Sequence, residues 1–138
     1  MGSNTGVFVG NSWDEYLNAC DANGIMPENS QYFARIVSFK LNLKGPTMTV
    51  DTACASSLSA LTEAVTAMRK GLCDSAIVAG VNIGLKPLSQ LGFKFLGMLS
   101  PEGKCKCLDE SADGYAKGEA CAALLLQRRL IATNDKIT

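Results

Sequence analysis

This 138-residue chain contains no histidine. Any Cys–His catalytic pair must therefore be completed from outside these residues. Long apolar runs are missing as well, since no stretch approaches the roughly 20 residues that a bilayer-crossing helix needs. No secretory signal pattern opens the sequence. Neither sign of charge accumulates: 13 basic and 13 acidic residues cancel without forming a long run. That balance gives no support for nucleic acid or an anionic membrane as partner. Other patterns are lacking too. G-x-x-x-x-G-K-[ST] and G-x-G-x-x-G do not occur, which leaves nucleotide binding unsupported. There is no C-x-x-C for thioredoxin-type exchange and no G-x-S-x-G elbow of the hydrolases. Low-complexity segments and internal repeats are also absent.

What is present reads as globular. Apolar residues make up 47% and charged residues 19% of a chain long enough for one modest domain with its own core. The cysteines (Cys20, Cys54, Cys73, Cys105, Cys107 and Cys121) mostly lie inside or beside apolar runs. They are expected to be free thiols in a reducing, cytoplasmic setting. The strand-like "TGVFVG" begins almost at once, and "NDKIT" reads as a turn leading into a segment that does not follow. Residues 1–138 are therefore expected to be part of one larger domain, truncated at both ends.

Along the chain, Thr5 to Gly10 forms a short apolar run consistent with a buried strand. Ser12 can cap a helix carrying Trp13, Tyr16, Leu17 and Cys20, with Gly24 and Pro27 beyond its end. A second helical stretch is expected from about Asn29, with Phe33, Ile36, Val37 and Leu41 on one face and Gly45-Pro46 as its stop. "TMTVDTA" is rich in β-formers. After Cys54, the residues Leu58, Leu61, Val65, Met68 and Leu72 recur at helical spacing, with Ser59, Thr62, Glu63, Thr66 and Arg69 on the wet side. Arg69, Lys70 and Gly71 suit its C-terminal end. "SAIVAGVNIG" reads as another strand, so strand, helix and strand make a βαβ unit with parallel strands. Irregular chain is expected between Lys86 and Gly118, and a last strand from Ala120 to Leu126. The class is α/β.

Cys54 stands at the corner between a strand and a helix. In α/β sheets such corners gather at the carboxyl ends of strands, where ligands bind. A helix start favours an anion, and its N–H groups can receive the oxyanion of a tetrahedral intermediate. Ala53, Ala55, Ser56 and Ser57 around it are small and leave room for an acyl group. The plain alternative is a small core residue that falls at a turn.

"GPTMTVDTACASSLSAL", "GVNIGLKP" and "LGMLSPEGKCKCLDESADGYAKGE" together resemble the β-ketoacyl synthase domain of type I fatty acid and polyketide synthases. The wording around "LKP" and "FLGMLSPEGKCK" is most similar to animal fatty acid synthases and their polyketide-making relatives. The resemblance covers nearly the whole chain. It implies a thiolase-like layered fold, of which this chain holds mostly the nucleophile-bearing N-terminal half. It implies Cys54 as the nucleophile that carries the acyl thioester, with its backbone N–H part of the oxyanion hole. Acyl and malonyl thioesters on acyl carrier protein, delivered on phosphopantetheine, are the implied partners, with no cofactor or metal bound directly. The two histidines and the lysine that such enzymes need are placed after this region. The fragment alone is therefore expected to be inactive. A homodimer is implied too, through the strand Thr47 to Thr52 with the helix around Gln31 to Phe39 close by.

Two residues depart from the family's usual pattern: Ala55 where serine is most common, and Ala120 where a second glycine follows the glutamate. Neither removes the nucleophile. A non-catalytic homologue serving as scaffold or chain-length partner is the competing reading, although such members commonly replace the cysteine itself. Cys105 and Cys107 form a C-x-C beside two carboxylates, but further ligands for zinc are not supplied nearby. Asp113, Tyr115 and Glu119 read as a loop supporting the strand that follows. Tyr32, Phe33 and Phe39 read as core or subunit contact.

Overall fold

The computed structural model describes residues 2–12 and 32–128. The helix expected after Ser12, carrying Trp13 to Cys20, lies outside the described residues, as do Asn29 and Gln31. The elements in order are β1 (Thr5–Gly10), α1 (Phe33–Lys40), β2 (Thr47–Val50), α2 (Ser56–Arg69), β3 (Ser75–Asn82), α3 (Pro87–Phe95) and β4 (Ala120–Gln127). They fall into two compact units. One runs to Val81 and resumes at Cys121; the other is Asn82–Ala120.

The four strands form one sheet in the order β2-β1-β3-β4. β1 is buried along its whole length, as an apolar strand covered on both faces should be. It pairs in parallel with β2, from Val7 opposite Thr47 to Gly10 opposite Val50. On its other side it pairs in parallel with β3, from Thr5 opposite Ser75 to Gly10 opposite Gly80. The strand–helix–strand unit is thus parallel as expected, with β1 inserted between its two strands. Successive β1 side chains point to opposite faces. Val7 and Val9 pack with Ala34 and the partly buried Phe33, Val37 and Leu43, so α1 covers one face. Phe8 packs with Ala60, Ala64, Ala67, Cys73, Ala76 and Val78, so α2 covers the other.

The buried face of α2 is not the leucine stripe expected from the sequence. Ser56, Ala60, Ala64 and Ala67 are buried, whereas Leu58 and Leu72 are 66% and 57% exposed. Leu61 and Met68 pack only at the rim of the cluster. Small side chains let the helix axis approach the sheet closely, and that approach selects alanine over leucine. β2 is also shorter than Thr47 to Thr52. It ends at Val50, where the Asp51 carboxylate accepts the Ala53 N–H at 3.0 Å and turns the chain. α1 stops at Lys40, ahead of Gly45-Pro46. Asn42 takes a left-handed φ of 52°, and the Leu43 N–H bonds back to the Ser38 carbonyl at 2.9 Å. No helix among the described residues is long and apolar enough to cross a membrane.

The second unit corrects the expectation of irregular chain from Lys86 onward. α3 starts at Pro87, with Lys86 extended as its N-cap, because proline's fixed φ suits the first helical position. Gly92 inside the segment masks this helix at the level of sequence. After α3 the chain folds on itself. Tyr115 donates its N–H to the Met98 carbonyl, and the Ser100 N–H bonds to the Tyr115 carbonyl, each at 3.1 Å. The Tyr115 ring meets Phe93 edge-on at 6.4 Å, while Lys117 Nζ lies 4.5 Å over the Phe93 ring.

Gly10 and Gly80, paired across β1 and β3, form the seat for the start of α2. A Cβ at Gly10 would come within 2.5 Å of the Ser56 carbonyl carbon and the Ser57 N, and one at Gly80 would collide with Ser57 Oγ. Gly10→Ala is therefore expected to destabilise the full-length protein by about 1–3 kcal/mol, the usual cost of overpacking. Denaturant unfolding checks this; an unchanged midpoint would show that α2 can lift off its seat freely.

Candidate active site

Between β2 and α2 the chain has five residues, Asp51 to Ala55, in which to reverse direction. Ala53 takes a φ of 52° to do so. A left-handed alanine costs about 1–2 kcal/mol, so the corner must be held by its surroundings. The holding bonds are short. The Thr52 N–H donates to Ser56 Oγ at 2.9 Å, and that hydroxyl donates to the Ala53 carbonyl at 2.6 Å. The Ser56 N–H bonds to the same carbonyl at 3.1 Å, and the Ala55 N–H to the Thr52 carbonyl at 3.1 Å. The Thr52 and Ser59 hydroxyls are hydrogen-bonded to each other at 2.7 Å, and either can donate.

Cys54 sits inside this corner, exposed to solvent. α2 begins beyond Ala55, its N-cap, with no side-chain cap and no acidic residue in its first turn. An uncapped helix start leaves N–H groups and the positive end of the dipole available to an anion. A strand end, a tight corner and a helix start thus converge on one thiol, with the small Ala53, Ala55, Ser56 and Ser57 as its neighbours in sequence. That arrangement suits a nucleophile that must carry a bulky acyl group.

Several other residues singled out from the sequence have contacts within their own units. Cys73 is fully buried in the core beside Phe8, and burial pushes its thiol pKa up. Cys105 Sγ accepts the Ala116 N–H at 3.2 Å within the second unit. In the same unit, the Lys106 ammonium pairs with Asp113 at 2.9 Å and with Glu102 at 3.5 Å. Lys106 holds the Asp113 carboxyl below the usual carboxylate range. Glu119 Oε1 accepts the Gly84 N–H at 2.7 Å, and Asn82 donates to the Gly118 carbonyl at 2.6 Å. These are ties that close a loop. Among the described residues, no three His, Cys, Asp or Glu side chains converge to hold a metal ion. The Gly10–Gly80 seat and the part played by Ser56 were missed from sequence; the signal was a glycine ending β1, another two residues before the end of β3, and a run of small residues after Cys54.

Comparison with known proteins follows the same residues. The family described as "Beta-ketoacyl synthase, N-terminal domain" matches residues 1–132. "Fatty acid synthase" of Anser anser anser is 43% identical over 141 residues, covering 95% of this chain and 39% of that protein. "Prosolanapyrone synthase" of Alternaria solani is 44% identical over 134 residues, covering 92% of this chain and 5% of that protein. Among solved structures, the ketosynthase from module 6 of the bacillaene synthase of Bacillus subtilis 168 has a TM-score of 0.87 at 37% identity, over 98% of this chain and 24% of its own. The oxazolomycin ketosynthase domain of Streptomyces albus JA3453 has a TM-score of 0.86 at 36% identity, over 96% of this chain and 25% of its own. The chain therefore spans well under half the length of each of these relatives.

Thiol accessibility gives a direct check. Brief iodoacetamide treatment of the full-length protein, followed by peptide mapping, is expected to label Cys54 first and the buried Cys73 last. Faster labelling of Cys105, Cys107 or Cys121 would count against a reactive thiol at the β2–α2 corner.

Proposed function

The chain belongs to the β-ketoacyl synthase family and has its thiolase-like α/β fold, and on that premise we propose that it is the nucleophile-bearing part of a condensing enzyme, with Cys54 as the nucleophile. The observation that carries this reading is the exposed thiol at the β2–α2 corner, inside the region that matches the family. The reaction proposed for the whole protein is a decarboxylative Claisen condensation. The Cys54 sulfur attacks the carbonyl carbon of an acyl thioester carried on the phosphopantetheine arm of an acyl carrier protein. A new C–S bond forms, the carrier's C–S bond breaks, and the carrier thiol leaves with the proton. A malonyl unit on a carrier then loses carbon dioxide. Its carbanion attacks the Cys54 thioester, forming a C–C bond and releasing the Cys54 sulfur. The product is a β-ketoacyl chain two carbons longer, for fatty acid or polyketide synthesis. The Cys54 N–H serves as one donor to the oxyanion of the first step.

With no histidine in the chain, the groups that assist decarboxylation must come from residues beyond these 138, as in the family. The 138 residues by themselves are accordingly inactive, and the working enzyme is cytoplasmic. Replacing Cys54 by Ala in the full-length protein is expected to lower condensation by on the order of 10⁴-fold or more, because the acyl-enzyme can no longer form. Alanine fits the corner, so the fold is retained. Chain elongation by the purified variant at the native rate would reject the assignment and favour a scaffold role.

The same reading includes a homodimer. β2 stands at the edge of the sheet, with Met48 42% exposed. Beside it, α1 and its N-cap present Tyr32, Ile36 and Phe39, the last 80% exposed. An edge strand next to an apolar helix face is completed by an identical copy across a two-fold axis. Light scattering on the complete ketosynthase domain is expected to give a dimer; a monodisperse monomer would refute the interface.

A further inference from the structure

We propose that Ser56 is a positioning residue that aims the backbone N–H of Cys54 at the oxyanion. This rests on the reading of Cys54 as nucleophile and names a part that the reading leaves open. Ser56 is 5% exposed, at the first position of α2. Its hydroxyl has one proton, given to the Ala53 carbonyl at 2.6 Å, and its lone pair takes the Thr52 N–H at 2.9 Å. The Ser56 N–H bonds to the Ala53 carbonyl as well, at 3.1 Å. Two donors from one residue therefore pin a single carbonyl oxygen.

That carbonyl is not an independent group. The Ala53 C=O and the Cys54 N–H are the two ends of one peptide unit, planar and trans, so they point in opposite directions. Fixing the oxygen fixes the direction of the N–H. The corner would not hold this plane unaided, because Ala53 is in the left-handed region and would relax to a more common backbone conformation. The opposite end of the clasp is equally firm, since the Ser56 main chain presses on Gly10. Ser56 thus transmits the rigidity of the sheet to the peptide plane beside the thiol, without touching substrate.

The experiment exploits two reactions of the same sulfur. Acyl transfer passes through a tetrahedral oxyanion and needs the Cys54 N–H; displacement of iodide from iodoacetamide forms no oxyanion and needs only the exposed thiol. In the full-length protein, Ser56→Ala is expected to slow acylation of Cys54 from an acyl thioester by about 10-fold, less than the loss of a whole oxyanion donor. Its alkylation of Cys54 should stay within about twofold of the native rate, so the ratio of the two rates falls. Ser56→Thr, which keeps the hydroxyl, is expected to recover most of that ratio. A native ratio in Ser56→Ala, or equal slowing of both reactions, would overturn the proposal, because a merely structural role moves both together. Should Ser56→Ala fail to fold, a folded Ser56→Thr with a tenfold lower ratio would overturn it and a near-native ratio would support it. Cys54→Ala run in parallel separates the two levels: acylation that survives it sinks the nucleophile reading, whereas acylation lost there but native in Ser56→Ala sinks only the role of Ser56.

Discussion

The close approach of α2 to the paired glycines of β1 and β3 is the constraint on which the site depends. With Gly10 opposite Gly80, the sheet offers a patch of bare backbone under the first turn of the helix. The buried stripe of Ser56, Ala60, Ala64 and Ala67 continues that closeness along the helix. Packing at this density leaves no freedom to slide or tilt without collision. The start of α2 is therefore held at a defined height above the sheet, and the chain arriving from β2 must meet it there. The left-handed corner at Ala53 is the local consequence, and the exposed thiol of Cys54 is what that corner presents.

Magnitudes show how the corner survives. Strain of about 1–2 kcal/mol at one residue is opposed by several hydrogen bonds of about 1 kcal/mol each. The bonds come from Asp51, Thr52 and Ser56 and lie within a few residues of Ala53. The strain is thus met locally. The site inherits rigidity from both sides, from the glycine seat through Ser56 and from the β1–β2 pairing through Val50, whose carbonyl receives the Asn11 N–H at 3.1 Å.

The second unit is closed by different means. Backbone pairing of Met98 and Ser100 with Tyr115, the Phe93–Tyr115 contact and the Lys106 ion pairs knit the segment to itself. Of the chemically inviting side chains in "EGKCKCLDESADGYAKGE", Glu102, Asp113, Glu119 and Cys105 are used for this closure. Exposed ion pairs of this kind contribute little each, so the backbone pairing and the aromatic contact dominate there.

Local pattern determined a large part of this protein. The apolar run Thr5 to Gly10, the helical spacing after Cys54 and the strand "SAIVAGVN" were legible because each element's period and boundaries are written in consecutive residues. The position of Cys54 between a strand and a helix followed directly. The ordered motifs around it were specific enough to point to the family and its fold. Other features were decided only in three dimensions. The insertion of β1 between β2 and β3 is a non-local pairing that no short window contains. The burial of Ala60, Ala64 and Ala67 in place of Leu58 and Leu72 depends on how near the sheet lies, which a helix's own pattern does not state. α3 was hidden by Pro87 and Gly92, residues that break a periodic reading yet are tolerated, the first where a helix starts and the second where no described residue would meet a side chain. Ser56 reads as one more small residue in "CASSLSAL". Its role exists only once the Ala53 corner folds back and brings its hydroxyl onto the peptide plane of Cys54.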